Sequence, residues 1–187
     1  MTVRPAVPAD LAAIMALETA AFTGGWSERS WADEVRNHHV LVADDDRVVG
    51  VVALSAVAGT AEVLRVIVDE SVRCTGYARA LLRHGLAWAE TVAGQVFLEV
   101  SASNLAAIRL YESEGFQLLD RRADYYGVGD DALIYRLDHG HVARLDGQGH
   151  VVPSRSIHHQ AGLDAASQKQ CDPRPSTAPE EQTCQSR

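Results

Sequence analysis

Apolar residues recur at helical spacing near the start of the chain, which predicts an amphipathic helix. The residues on this stripe are Leu11, Ile14, Leu17 and Phe22. Pro8 and Asp10 suit the first turn of such a helix. A second, shorter helix is predicted after Ser27, because serine is a favourable N-cap and Trp31 and Val35 stand one turn apart.

Short apolar runs rich in β-branched residues follow and predict strands. Residues 39–57 contain two such runs around the polar tip Asp44–Arg47, which is the pattern of a hairpin. A third strand is predicted at residues 61–68, after the Gly59-Thr60 turn. The next segment returns to helical spacing, with an apolar face suited to packing on a sheet. This face consists of Ala78, Leu81, Leu82, Gly85, Leu86 and Ala89.

The run QVFLEV, residues 95–100, predicts a buried strand parallel to the preceding one, so a β-helix-β unit is expected. Another helix is predicted at residues 103–116, opened by Ser103 or Asn104 and closed by Gly115. The last two strands are predicted at residues 116–122 and 131–137, joined through residues 123–130. This order of elements indicates an α/β protein with a mixed sheet.

Composition changes near Asp138, although the 187 residues fit a single domain. Residues 139–187 have few large apolar side chains and no sustained period, which predicts a disordered C-terminal tail after a domain at residues 1–138. The five histidines of this tail lack helical spacing, so a solvated chain is favoured over a metal site.

A formal net charge of -8 argues against direct nucleic-acid binding and favours a basic partner. No apolar run approaches the roughly 18 residues of a membrane span, and the first residues lack a signal-peptide layout. A cytoplasmic protein without membrane contact is therefore expected. The three cysteines, Cys74, Cys171 and Cys184, match no disulfide framework or zinc site and are expected to be reduced.

The stretch RCTGYARALL, residues 73–82, places a glycine where a helix must begin. Free N–H groups and the positive dipole end make the first turn of a helix an anion site, best where the approaching backbone lacks a Cβ, as at Gly76. Arg73 and Arg79 could add hydrogen bonds to phosphate oxygens. The signatures of a nucleotide triphosphate loop and of a dinucleotide fingerprint are both missing. Alone, such a glycine also has a purely conformational explanation.

The arrangement R-x-x-G-x-A at Arg73, Gly76 and Ala78 resembles the pyrophosphate-binding motif of the GNAT superfamily of N-acetyltransferases. Residues 98–116, LEVSASNLAAIRLYESEGF, resemble more specifically its RimI-like group of ribosomal-protein-alanine N-acetyltransferases. Residues 121–137 and the earlier Trp26–Glu28 extend this resemblance. It implies a GNAT fold, with a mostly antiparallel sheet of about six to seven strands and about four helices.

The resemblance also implies acetyl-CoA as the donor substrate, without a metal, and a protein N-terminus as acceptor, in particular that of a basic ribosomal protein. An α-amine has a pKa near 7.7–8.0, so a base must remove a proton before the amine can attack. The family position of the base is Glu99 and that of the acid for the departing thiolate is Tyr111. Without the resemblance, Glu99 would be interpreted as a paired or solvated glutamate and Tyr111 as an aromatic packed beside Phe116.

Further contacts follow from the same resemblance. The predicted cofactor contacts are the strand backbone at Val66, Ile67 and Val68, the turn residues Arg73, Cys74, Thr75, Gly76, Tyr77, Ala78 and Arg79, and Asn104 with Tyr111. The predicted acceptor contacts are Trp26, Glu62, Tyr125 and Tyr126, with Asp130 and Asp131 as further sources of negative potential. Asn104 has an equally good explanation as a helix cap. The aromatic residues could instead plug the sheet edge.

The chain departs from the group at a few positions. Members often have basic residues at the positions of Cys74 and Ser101, and an aromatic residue or proline before the tryptophan, where this chain has Gly24-Gly25. Two other functions therefore stay open. One is acetylation of a lysine side chain or a small amine, and the other is a catalytically silent acyl-CoA-binding module that regulates a partner.

Overall fold

The computed structural model describes residues 1–139, so the tail prediction beyond His139 lies outside the described residues. These residues form a seven-stranded sheet in the order β1-β2-β3-β4-β5-β7-β6 and four α-helices. The strands are β1 (Thr2–Pro5), β2 (His39–Asp44), β3 (Val48–Val57), β4 (Thr60–Val68), β5 (Gln95–Ser101), β6 (Gln117–Gly127) and β7 (Asp130–Asp138). The helices are α1 (Leu11–Ala21), α2 (Glu28–Asn37), α3 (Tyr77–Val92) and α4 (Leu105–Ser113). Within residues 1–139 no helix has the length and apolar character to span a membrane.

Two apolar cores cover the two faces of the sheet. On one face α3 packs against β3 and β4, and Gly85 allows a close approach, since a Cβ there would lie 2.6 Å from Leu54 Cδ1. On the other face α1 and α2 bury Ile14 and Trp31 against the sheet. The face toward α3 is called the α3 face below, and the opposite one the α1 face.

The mixed sheet, the β-helix-β unit and the four helices are confirmed. The hydrophobic pattern did not reveal β1, because its four residues are held by pairing with β2, from Thr2↔Asp44 to Pro5↔Leu41. The connection between the last two strands was also predicted too long, as residues 123–130. β6 continues to Gly127, so Tyr125 and Tyr126 lie in a strand with irregular register and not in a loop.

The parallel strands β4 and β5 separate halfway along their length. Their pairing runs from Thr60↔Gln95 to Val63↔Leu98 and then stops, although β4 continues to Val68 and β5 to Ser101. Beyond this point β4 is bonded to β3, and β5 to β7. The backbone of Val66–Val68 therefore has an edge that faces a gap between the two central strands.

A β-bulge lies where the strands separate. Leu54 pairs with Val63 and Ala53 with Arg65, so Leu64 is an extra residue in β4. Such a residue reverses which side chains face which side of the sheet. Val63 belongs to the core on the α3 face, whereas Ile67, four residues later, belongs to the core on the α1 face. Arg65 is directed to the α1 face for the same reason.

Candidate functional site

A structured turn joins β4 to α3 on the open side of the gap. Asp69 caps its short 3-10 segment by accepting a hydrogen bond from the Ser71 backbone N–H at 2.9 Å. Arg47, in the β2–β3 hairpin, donates to the other oxygen of Asp69 at 2.8 Å. Arg47 and then Ser71 lower the pKa of Asp69 to about 2. Asp69 therefore stays ionised near neutral pH and attaches this turn to the neighbouring hairpin.

Gly76 is the residue at which the turn becomes a helix. Its φ of 100° lies in the left-handed region, and its carbonyl accepts the hydrogen bond of the Ala80 N–H at 2.9 Å. The N–H groups in the first turn of a helix have no partner within that helix. Gly76 itself has no side chain to cap them, and a Cβ on Gly76 would meet no atom within 4 Å. Open space in front of this helix end suits the binding of an anion.

Most of the predicted diphosphate side chains have partners within the protein, so the backbone of the turn is the part that best fits an anion. The side chains of Cys74 and Arg79 are both exposed, and Cys74 has a φ of 62°. The contacts are Arg73 Nε to the Val68 carbonyl (3.4 Å), Thr75 Oγ1 to the Val72 carbonyl (2.5 Å), Tyr77 hydroxyl to Asp45 (2.7 Å) and Arg79 Nε to Glu114 (3.0 Å). The roles of these residues and of Ala78 toward a cofactor stay predictions.

We predict that Gly76→Ala weakens acetyl-CoA binding about tenfold or more. An alanine at φ of 100° strains the backbone by about 1–2 kcal/mol, and its Cβ would occupy the space in front of the helix. Titration calorimetry with acetyl-CoA measures the effect. Gly59→Ala is the matched control, because Gly59 also has a positive φ (81°) and no atom within 4 Å of an added Cβ, but lies in the β3–β4 turn. An equal loss of affinity in both variants would contradict the prediction.

Glu99 is the first residue of β5 beyond its pairing with β4. Alternation along β5 buries Leu98 and Val100 on the α3 face and places the side chain of Glu99 on the α1 face. One oxygen of its carboxylate accepts a hydrogen bond from the Tyr126 hydroxyl at 3.0 Å, and the other from Arg122 at 3.1 Å. Each oxygen has a second lone pair, so the carboxylate can still accept a proton at the gap.

Tyr111 is buried on α4, on the α3 face. Its ring packs edge-on against Phe116 with the centroids 5.9 Å apart. This is the packing contact predicted as the alternative to an acid role. Burial raises its pKa to about 12. Among residues 1–139 its hydroxyl has no hydrogen-bond partner, so its proton is available to another molecule. Asn104 caps the same helix by accepting from the Ala107 N–H at 3.2 Å.

Glu99 and Tyr111 therefore lie on opposite faces of the sheet, at the end where β4 and β5 separate. Glu99 borders the gap directly, and Tyr111 belongs to the helix that follows the open end of β5. A thioester in the gap would be open to an amine from the α1 face and to a proton donor from the α3 face. This is the arrangement that acyl transfer from a thioester to an amine needs.

The structure places the predicted acceptor residues on three elements: Tyr125 and Tyr126 on β6, Trp26 in the loop between α1 and α2, and Glu62 on β4. Tyr126 contacts Glu99, and its ring is edge-on to that of Tyr125 at a centroid distance of 5.2 Å. Burial, followed by the charge of Glu99, raises the pKa of Tyr126 far above its usual range. Trp26 lies in the α1–α2 loop, residues 22–27, and packs on Trp31 with the ring centroids 5.0 Å apart. Glu62 is exposed on the paired half of β4, one residue before the bulged segment.

Asp130 and Asp131 have structural partners and were predicted only as sources of negative potential. Asp130 accepts a hydrogen bond from Ser101 at 2.6 Å, which ties the end of β5 to the start of β7. Asp131 is buried, accepts the Asp124 backbone N–H at 2.8 Å and pairs with Arg121. Asp124 has a φ of 55° and lies in the irregular part of β6, between Arg122 and Gly127, which also contains the Tyr126 that contacts Glu99.

We predict that Asp131→Asn lowers the melting temperature at pH 7 and that the difference from wild type narrows in acid. The Asp124 N–H, followed by Arg121, lowers the pKa of Asp131 below its usual value of 3.8. Its ionised form therefore stabilises the fold above about pH 4, and this contribution is lost as the pH falls through the lowered pKa. Thermal unfolding between about pH 7 and pH 2 tests this. A difference that does not change with pH would contradict it, and the exposed Asp33 provides a control as Asp33→Asn.

Sequence reasoning missed three charged residues near the gap. Arg122 pairs with Glu99, and Arg65 pairs with Glu18 at 3.1 Å with both side chains buried. Burial lowers the pKa of Arg65, while Glu18 opposes this effect. A signal was available for two of the three. Glu18 lies four residues after Ile14 on an apolar helical stripe, and Arg65 interrupts an apolar strand.

A mixed sheet whose central parallel strands separate, with a helix that begins beyond the end of the first of them, is the architecture shared with acyl-CoA-dependent N-acyltransferases. The sequence profile of the Acetyltransferase (GNAT) family matches residues 11–116, and the chain belongs to this family. Acetyltransferases of this family use acetyl-CoA as donor, and this chain is an acetyl-CoA-dependent N-acetyltransferase.

This chain matches several known proteins over nearly their whole length. A [Ribosomal protein bS18]-alanine N-acetyltransferase of Salmonella typhimurium is 35% identical over 68% of this chain and 90% of its own length. An N-alpha-acetyltransferase RimI of Mycobacterium tuberculosis is 34% identical over 75% and 94%. The crystal structure of the ribosomal-protein-S18-alanine N-acetyltransferase from Escherichia coli matches 73% of this chain and 92% of that one, with 30% identity and a TM-score of 0.67.

Proposed function

We propose that this enzyme acetylates the N-terminal α-amine of a protein, specifically the N-terminal alanine of a small-subunit ribosomal protein. The names of its relatives support this acceptor. The observation that carries the proposal is the position of Glu99, which is the first β5 residue beyond the β4 pairing and is held by Tyr126 on the α1 face. A negative net charge also suits a basic acceptor protein.

The residues of the gap fit acetyl-CoA. The open edge at Val66–Val68 can bond the amide groups of the pantetheine arm, and the first turn of α3 at Gly76 can hold the diphosphate. Acetyl-CoA supplies an acetyl group activated as a thioester. The backbone edge would also orient the thioester carbonyl and stabilise negative charge on its oxygen.

Glu99 removes one proton from the α-ammonium group, so that the neutral amine attacks the acetyl carbon from the α1 face. A C–N bond forms and the C–S bond breaks. Tyr111 donates its proton to the departing sulfur from the α3 face, and the positively charged nitrogen of the new amide loses its second proton. Solvent accepts this proton and the one held by Glu99, and it reprotonates the tyrosinate. The thiol of CoA has a pKa near 8.5, like that of cysteine, so a hydrogen bond from a protonated phenol favours its departure.

A comparison of three acceptor substrates tests the proposed acceptor. The substrates are an alanine-starting peptide with an internal lysine, the same peptide with a blocked N-terminus, and a small amine, with release of CoA thiol as readout. We expect turnover of the free terminus and at most a small fraction of that rate for the blocked peptide, because a lysine amine with a pKa near 10.4 is harder to deprotonate. Faster turnover of the blocked peptide would identify a lysine acetyltransferase. Acetyl-CoA binding without turnover of any amine would identify a silent module.

A further inference from the structure

The α1–α2 loop, residues 22–27, is attached to the sheet through one carboxylate. Glu18 is only 1% exposed, and one of its oxygens accepts the Trp26 backbone N–H at 2.7 Å while the other accepts Trp31 Nε1 at 3.2 Å. Gly25 makes this approach possible, because a Cβ there would collide with the carboxylate of Glu18. A single buried side chain thus holds the loop and α2 together.

Arg65 links this carboxylate to the gap. It lies directly after the β4 bulge, on the face that carries Glu99, and its Nη1 is 3.1 Å from Glu18. Its guanidinium lies between two aromatic rings of the same loop, 4.3 Å from the centroid of Phe22 and 4.5 Å from that of Trp26.

Stability alone does not explain this arrangement. Burying an ion pair costs about as much in lost hydration as its attraction returns, and apolar replacements of such pairs are often neutral or stabilising. In this case Arg65 Nε is buried without a hydrogen-bond partner among the described residues, which adds to the cost. The same contacts connect Trp26 to the residue that follows the β4 bulge.

We infer that Glu18 and Arg65 form a buried clamp that positions the α1–α2 loop for acceptor binding. The inference rests on the proposed function only for the nature of the acceptor, a peptide terminus on the α1 face. The clamp residues are positioning residues. They do not contact the turn at Gly76 that is proposed to hold the diphosphate, called the diphosphate turn below. Acceptor binding therefore depends on the clamp residues and acetyl-CoA binding does not.

The test replaces both charges together. Glu18→Leu with Arg65→Met removes the ion pair and both hydrogen bonds of Glu18 at similar volume and leaves no buried charge, so the double variant should fold. Arg65→Met alone leaves a buried carboxylate without its cation and should be less stable than the double variant. In the double variant we expect the amides of residues 22–27 to exchange hydrogen at least about tenfold faster. The KM for an alanine-starting peptide should rise about tenfold or more, with the dissociation constant of acetyl-CoA within about twofold of wild type.

Two further variants keep the test decisive. Arg65→Lys retains the charge for Glu18 but loses the planar group between the two rings, so a smaller rise in peptide KM is expected with a folded protein. Arg4→Met with Asp10→Leu is the control, because Arg4 pairs with Asp10 at 2.8 Å at the other end of α1, where it also pairs with Asp44. It should leave both hydrogen exchange in residues 22–27 and peptide KM unchanged.

The outcomes separate the two claims. Unchanged exchange in residues 22–27 of the double variant overturns the clamp, whatever the activity. Faster exchange with unchanged peptide KM overturns its role in acceptor binding. A wild-type protein that acetylates no peptide terminus refutes the proposed function, while the exchange measurement still decides whether the clamp exists.

Discussion

Replacing Glu99 by glutamine is expected to lower kcat/KM for an alanine-starting peptide by about 10²–10⁴-fold, the usual contribution of a general base. Glutamine has the same shape and can still accept the Tyr126 hydrogen bond, now made at 3.0 Å to the carboxylate. It cannot take a proton from an ammonium group. Acetyl-CoA binding, measured by calorimetry, should stay within about twofold of wild type, because the diphosphate turn lies on the other side of the gap.

The pH dependence distinguishes a base from a residue that only orients the acceptor. An α-amine is already neutral above about pH 8, so the defect of Glu99→Gln should shrink at about pH 9.5 if its loss is one of deprotonation. Glu112→Gln is the matched control, since Glu112 also accepts a tyrosine hydrogen bond, from Tyr135 at 2.9 Å, but lies on α4. A defect that persists unchanged at high pH, or one shared by the control, would contradict the base role.

The parts of the fold that follow from local pattern were predictable. Helical stripes and short β-branched runs identified four helices and six strands, because each of these elements buries a face that its own residues form. The family motif at Gly76 also fixed where α3 begins, since a left-handed residue is needed at that point. Local pattern and resemblance therefore sufficed for six of the seven strands, for the four helices and for the start of α3.

The rest depends on contacts between distant parts of the chain. β1 owes its existence to pairing with residues about forty positions away, and four residues carry too little pattern to reveal this. The extra residue Leu64 is visible only in the register of β4 against β3, although it decides that Arg65 faces Glu18. The hydrogen bond between Tyr126 and Glu99 depends on the irregular end of β6, for which the sequence pattern predicted a loop.

The proposed acceptor side depends more on contacts between distant elements than the proposed donor side does. The donor side consists of backbone at one turn, whose chemistry is the same for many side chains. The acceptor side combines Glu99 on β5, Trp26 in a loop and Tyr126 on β6, which only the assembled sheet brings to the same face. Its substitutions should therefore affect the choice of acceptor more than the binding of acetyl-CoA.

Replacing Tyr111 by phenylalanine is expected to lower kcat about 10²-fold or more without lowering stability. The ring and its contact with Phe116 remain, and the hydroxyl that is lost has no partner within residues 1–139. A pKa of about 12 keeps this hydroxyl protonated over the working range of the enzyme, so its loss removes a proton donor at every accessible pH. Single-turnover kinetics with saturating acetyl-CoA and peptide measures the effect on the chemical step.

Tyr135→Phe separates the catalytic from the packing role of Tyr111. Tyr135 is also buried, and its pKa is also raised to about 12, but its hydroxyl donates to Glu112 at 2.9 Å. Loss of that hydrogen bond should cost about 0.5–1.5 kcal/mol of unfolding free energy and leave kcat unchanged. Tyr111→Phe should therefore lower kcat without lowering stability, and Tyr135→Phe should lower stability without lowering kcat. If Tyr111→Phe instead lowers the melting temperature and retains wild-type turnover, Tyr111 is a packing residue and the departing thiolate is protonated by another group.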